Sequence, residues 1–197
     1  MAEATGGSMK IFSPMLLVIF LLSTVASLSA GEIIFYGGMQ KPGKLSYSSA
    51  TEVPKDLFEG DFGSTMGVRF SAGRILGFEQ NMSYSPEFGK SGVKAFQLDS
   101  NLVIQARGKV VPYVTAGIGY VKSWGQDFPT DSDPEKIARF VFSFGKTFSF
   151  NYGGGLKLRR LWGPIGINVD VRGYTLPDVR NGNLNFIQTS AGMVLSW

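Results

Sequence analysis

Apolar and polar residues alternate along most of the chain. In residues 93–107, Phe96, Leu98, Leu102, Ile104 and Ala106 share one face, and Gln97, Asp99, Asn101 and Gln105 the other. Phe148, Phe150, Tyr152, Leu156 and Leu158 alternate in the same way with Ser149, Asn151, Gly153, Gly155 and Lys157. Ile165, Ile167, Val169 and Val171 alternate with Gly166, Asn168, Asp170 and Arg172, and Ile187, Ala191, Met193, Leu195 and Trp197 with Gln188, Ser190, Gly192 and Ser196. A period of two puts successive side chains on opposite sides of a strand. Weaker versions cover residues 62–72, 76–84 and 110–124, and residues 32–40 read as a further strand whose facing is ambiguous. The pattern predicts eight strands. From Glu32 onward no stretch carries an apolar period of about 3.6, so no helix is predicted there.

The connections set the architecture. Those after the second, fourth and sixth strands are tight, at Gly73-Arg74, Gly108-Lys109 and Gly163-Pro164. The others, residues 42–61, 85–91, 125–138 and 177–184, are mostly longer and rich in Pro, Ser, Asp and Asn. Short and long connections alternate when one end of an up-and-down barrel lies in a confined space and the other in open solvent. An even strand count puts both ends of the barrel chain on the short-turn side.

Alternation also fits a soluble barrel with its apolar face turned inward as core. The polar face discriminates. It holds mainly Gly, Ser, Thr, Asn and Gln, with few and nearly balanced charges: Arg69, Lys157, Arg159 and Arg172 against Glu79, Asp99 and Asp170. A water-facing exterior would carry many Lys and Glu, yet charged residues make up only 17% of the chain, below the usual ~25%. Small side chains instead make room inside a narrow tube. A lone buried charge there costs several kcal/mol, so these seven residues are expected to pair in a lumen network. Tyr84, Tyr120, Trp124, Trp162 and Trp197 lie near strand ends, where membrane barrels carry aromatic girdles. The expected fold is all-β: an eight-stranded antiparallel up-and-down transmembrane β-barrel over residues 31–197.

The N-terminal segment reads as an address. Lys10 precedes an apolar run over residues 15–25 and then small residues up to Ala30, the layout of a secretory signal peptide cleaved after Ala30. Met9 is an alternative start. The run is shorter than the ~20 apolar residues of a spanning helix, which disfavours an anchor.

At the other end, Ser190, Gly192, Leu195 and Trp197 form a pattern that resembles the sorting motif read by the outer-membrane insertion machinery, with Trp in place of the more frequent Phe. Beyond it, Pro112-Tyr-Val-Thr-Ala-Gly117-Ile-Gly119-Tyr120 looks like a fifth-strand pattern of the small OmpA/OmpX-like outer-membrane β-barrels. Phe150-Asn-Tyr-Gly-Gly-Gly155 and Asn168-Val-Asp-Val-Arg172-Gly-Tyr174 look like that family's sixth and seventh strands. The resemblance covers the whole chain after residue 30. It implies residence in the outer membrane of a didermic bacterium, outer-membrane lipids around the barrel and the insertion machinery as a partner in biogenesis. It also implies long loops open to an extracellular ligand, and no cofactor. The sequence stops with its last strand, so a wall-anchoring domain is not implied.

Candidate chemistry is sparse. The chain has no His and no Cys, which removes the commonest general base, the commonest zinc ligand and all disulfides. Lipid A–modifying barrels use a histidine-centred site. Glu79, Asp99 and Asp170 could act as bases by type, but their spacing fits pairing with Arg69, Arg159 and Arg172 better. No enzyme is expected. Gly153-Gly154-Gly155 lacks the helix and lysine of a phosphate loop and reads as a bulk-free stretch of a curved strand. Asp127, Asp131, Asp133 and Glu135 have no calcium-loop spacing and read as a solvated loop. Arg160 falls in phase with the lipid face, where its head would snorkel to the interface. Net charge is +4 with the basic residues dispersed, which gives no nucleic-acid footprint. Phe128, Phe140 and Phe142 suggest a strand continued beyond the membrane. The expected role is a structural, surface-interaction scaffold. The alternative is a narrow pore for ions or small solutes, although eight strands enclose an interior that side chains nearly fill.

Overall fold

The computed structural model describes residues 31–43, 46–47, 60–125, 134–179 and 182–197. Its elements are β1 (Gly31–Pro42), β2 (Gly63–Gly73), β3 (Leu76–Ser85), β4 (Lys94–Gln105), β5 (Val110–Trp124), α1 (Pro134–Phe142), β6 (Gly145–Trp162), β7 (Ile165–Val179) and β8 (Gly182–Ser196). Each strand pairs antiparallel with the next. Strand β8 returns to β1 in a register running from Glu32↔Ser196 to Pro42↔Phe186. That last pairing closes an eight-stranded up-and-down barrel, which satisfies the ladder groups an open sheet would leave at its edges. A two-residue strand, Ser46–Tyr47, extends the sheet against Asn183 and Gly182.

The barrel is inverted relative to a soluble protein. Ile167, Val169 and Val171 are exposed on the outside, while Asn168, Asp170 and Arg172 between them are buried inside. The same holds on β4, where Leu102 and Ile104 face out and Asp99, Asn101 and Gln105 face in. Trp162 and Trp197 are exposed toward the short-turn end, Tyr120 and Trp124 toward the long-loop end. The short hairpins turn through Gly73 (φ 123°), Gly108 (φ 119°) and Gly163 (φ 62°), a region that L side chains resist.

One apolar cluster does lie inside, at the long-loop end. Phe88, Val121, Val141, Phe142, Tyr174, Leu176, Leu184 and Phe186 are buried together there. The Tyr174 and Phe186 rings stack at 4.5 Å, and Phe88 meets Phe186 edge-on at 5.4 Å. Val141 and Phe142 come from α1, so the helix caps the mouth.

The helix corrects the expectation of strands throughout. Phe140 and Phe142 belong to α1, and Phe142 is buried in the cap instead of prolonging a strand. Ile137, Phe140 and Val141 do stand at i, i+3 and i+4, with Glu135, Lys136 and Arg139 at the positions between, a helical spacing that the short nine-residue length and the adjoining Phe142 make easy to pass over. Pro134 opens the helix where its missing N–H costs nothing. The Ser143 amide donates to the Arg139 carbonyl at 3.0 Å in the last turn. Strand ends are corrected too. Strand β6 begins at Gly145, and β7 and β8 run to Val179 and from Gly182, which pair with each other. The supposed long connection over residues 177–184 is therefore mostly strand. Phe128, Asp127, Asp131 and Asp133 lie outside the described residues, as does the side chain of Glu135.

Candidate functional site

The lumen carries its polar residues in layers. In the middle, Asp170 of β7 gathers five donated hydrogen bonds. Arg69 of β2 grips it as a fork, Nη1 to Oδ2 at 2.7 Å and Nη2 to Oδ1 at 3.0 Å. Arg172 Nε adds 2.8 Å, the Tyr113 hydroxyl 2.9 Å and the Ser190 hydroxyl 2.6 Å. Arg172 Nη1 also reaches Glu79 Oε1 at 2.7 Å, to which Asn101 donates at 3.1 Å. The Arg69 guanidinium lies over the Tyr36 ring, 4.0 Å from its centroid. Two cations and two anions thus neutralise each other with the charged side chains fully buried. The planar fork is the geometry in which Arg–carboxylate pairing is strongest.

Nearer the short turns, Glu32 of β1 joins two cations of β6. Lys157 Nζ donates to Oε2 at 2.7 Å, and Arg159 Nε donates to Oε1. Gln105 Oε1 accepts from both, at 3.2 Å from Lys157 and 3.1 Å from Arg159. The Ser71 and Ser196 hydroxyls also donate to Glu32, each at 3.3 Å.

Asp99 stands apart. It accepts from the Asn81 and Gln97 amides, each at 2.7 Å, and makes no ion pair among the described residues. The expected pairing fails here because Arg172 is already held by Glu79 and Asp170. The structure otherwise brings Arg69, Glu79, Asp170 and Arg172 into one cluster and Lys157 and Arg159 into the second. Sequence reasoning missed Glu32, Tyr36 and Tyr113. Glu32 shares parity with Gln40, and Tyr113 with Thr115, Gly117 and Gly119; that phase was the available signal.

Two glycines of β6 make this packing possible. A Cβ on Gly153 would lie 2.8 Å from Arg172 Cα, and one on Gly155 2.6 Å from Asp170 Cβ and 2.8 Å from the Tyr113 hydroxyl. In the C-terminal pattern, Ser190 belongs to the ion cluster. A Cβ on Gly192 would meet Tyr36 Cβ at 2.7 Å, Leu195 is half-buried opposite Ile33, and Trp197 is exposed with its ring across Gly31. Arg160 departs from the expected lipid-facing position. The register shifts between Leu158 and Trp162, Arg160 takes φ 55°, and its side chain lines the short-turn mouth.

The shortest hydroxyl–carboxylate pair, Ser190 on Asp170, is buried, and the carboxylate's lone pairs are taken by two guanidiniums and the Tyr113 hydroxyl.

The sequence matches no protein-family profile and no curated protein. Solved structures do resemble the chain. Neisserial surface protein A (NspA) is 12% identical over 86% of this chain and 99% of its own, with a TM-score of 0.62. Ail, the attachment invasion locus protein of Yersinia pestis, is 15% identical over 84% of this chain and 99% of its own, at 0.48. The outer-membrane protein OprG of Pseudomonas aeruginosa is 12% identical over 86% and 97%, also at 0.48. Of these, NspA is similar enough in shape to carry weight, and at that identity it speaks for the fold. With its closed antiparallel order, inverted faces and eight strands, the chain has the fold of the small OmpA/OmpX-like outer-membrane β-barrels.

Proposed function

We propose that this protein is an integral outer-membrane barrel that works as a rigid scaffold, presenting its long-loop end to the cell surface for interaction. The observation that carries the reading is the closed lumen. The Arg69–Asp170–Arg172–Glu79 cluster fills the middle, and the Phe88/Phe142/Tyr174/Phe186 plug fills the outer mouth. A pore needs a continuous wetted path, and eight strands leave no width to spare once side chains occupy the axis. The exposed Leu, Ile, Val and Phe stripe matches hydrocarbon, with Trp and Tyr at the headgroup level. NspA, the neighbour in shape, is a surface protein. The reading includes export by a signal peptide over residues 1–30 and recognition of Ser190, Gly192, Leu195 and Trp197 by the insertion machinery.

Planar-bilayer recording tests it. The scaffold reading expects no steady current from the parent protein and little from Asp170→Ala or Arg172→Ala. Stable conductance that those variants alter would overturn it in favour of a pore. Incubation with lipid A followed by mass spectrometry tests the absence of enzymatic activity; acyl-chain changes abolished by Glu79→Gln would contradict the reading.

A further inference from the structure

The two ends of the barrel differ chemically. The long-loop mouth is stopped by rings, whereas the short-turn mouth is an open recess of about 450 Å³ lined by cations. Three successive hairpins supply them: Arg74 from β2–β3, Arg107 and Lys109 from β4–β5, and Arg159 with Arg160 from the end of β6. Glu32 is the one acidic side chain in the lining, and Lys157 and Arg159 already neutralise it. Arg74, Arg107, Lys109 and Arg160 are exposed and make no ion pair with a described residue. Like charges converging on one concave surface with low-dielectric walls focus a positive potential. They also repel each other until an anion arrives.

We propose that this recess is a binding site for a soluble anion carrying two or more phosphate or carboxylate groups. Guanidinium forks on three sides can each take a pair of oxygens from such a ligand, and the volume suits a small molecule or one repeat of an anionic polymer. The same oxygens occur on a lipid headgroup. However, the recess opens on the barrel axis and reaches Glu32 and Arg159 at the lumen floor, whereas headgroups stand outside the ring of strands. The ligand therefore enters along the axis. In the orientation proposed above this mouth faces the periplasm, and that direction rests on the scaffold reading; binding itself does not.

The test titrates tripolyphosphate into the full chain folded in zwitterionic micelles at physiological salt, read by calorimetry and, in a Trp124→Phe/Trp162→Phe background, by fluorescence of Trp197 at the rim. One saturable site is expected. The Arg74→Ala/Arg107→Ala/Lys109→Ala variant should bind at least about tenfold more weakly, since each lost charge-assisted contact contributes substantially. A Lys122→Ala/Lys146→Ala variant, altered at the opposite end, should bind as the parent does. Heat-modifiable gel migration confirms that each variant is folded. Equal affinity in the triple variant, equal weakening in the control, or no saturable site would overturn the proposal. So would affinity that appears only in nanodiscs containing phosphatidylglycerol, which would assign the cations to headgroups. Each of these failures leaves the scaffold reading standing.

Discussion

Removing the Asp170 carboxylate should be among the most damaging single changes to this barrel. Asp170→Ala withdraws the acceptor for both fork bonds of Arg69, for Arg172 Nε, and for the Tyr113 and Ser190 hydroxyls. Arg172 keeps Glu79, but Arg69 retains no carboxylate partner within the fully buried centre. Breaking a buried pair from one side costs about 3–5 kcal/mol because the remaining charge stays desolvated. Removing both partners by Arg69→Met/Asp170→Ala takes that stranded charge away, so the double variant should be more stable than Asp170→Ala by about 1–3 kcal/mol. The assay is reversible denaturant unfolding of the barrel in lipid vesicles, followed by tryptophan fluorescence and by the folded band on unboiled gels. The reasoning is refuted if Asp170→Ala lies within about 0.5 kcal/mol of the parent, or if the double variant loses as much as the two single losses added.

Other expectations follow from the same geometry. Gly155→Val forces a side chain onto Asp170 and the Tyr113 hydroxyl and should cost about 1–3 kcal/mol or more. Gly37→Ala, with open space around its Cβ, should stay within about 0.5 kcal/mol in the same unfolding assay. Val114→Arg places a charge on the exposed face and should cost about 2–4 kcal/mol at bilayer mid-depth; an unchanged midpoint in vesicles would argue that this face does not meet lipid. Phe142→Ala removes the ring that α1 buries in the cap and should cost about 3–5 kcal/mol if the plug is part of the folded core. A loss below 1 kcal/mol would mean that the helix only rests on the mouth, read by the same unfolding curve.

Much of this architecture was legible in the order of residues, for a physical reason. A strand between two unlike media must alternate, so β4, β7 and the end of β8 declare both their conformation and their facing. The three short turns were legible because Gly73 and Gly108 take φ near 120°, open to glycine, and Gly163 a left-handed φ of 62° that favours it. Where the inside changes character, the code weakens. At the outer mouth the lumen is lined by Tyr174, Leu176, Leu184 and Phe186, while Asn183 and Asn185 are exposed outside, so the apolar residues change face there and the alternation is broken. That is why the last hairpin read as a loop. Strand β1 was ambiguous for the same reason, with Ile34 and Tyr36 inside beside Glu32 and Gln40.

For the site, charge balance alone singled out Arg69, Glu79, Asp170 and Arg172, because buried charges must find partners. It could not assign them. Which guanidinium reaches which carboxylate depends on strand stagger, and stagger left Asp99 to amides and gave Glu32 two cations. Arg160 was misplaced by a local irregularity: between Leu158 and Trp162 the register shifts by two residues and Arg160 takes φ 55°, while Trp162 beyond it is exposed as the alternation expects.

The central claim is that lipid touches the apolar stripe and the ion clusters are walled away from it. Brominated acyl chains quench tryptophan on contact, so single tryptophans on a background with Trp124, Trp162 and Trp197 replaced by Phe test it directly. Tryptophan at Val114 or Val169 should be strongly quenched in brominated vesicles, and tryptophan at Thr115 should keep its emission. Emission that survives at Val114 and Val169 while Thr115→Trp is quenched would turn the barrel inside out and contradict the account.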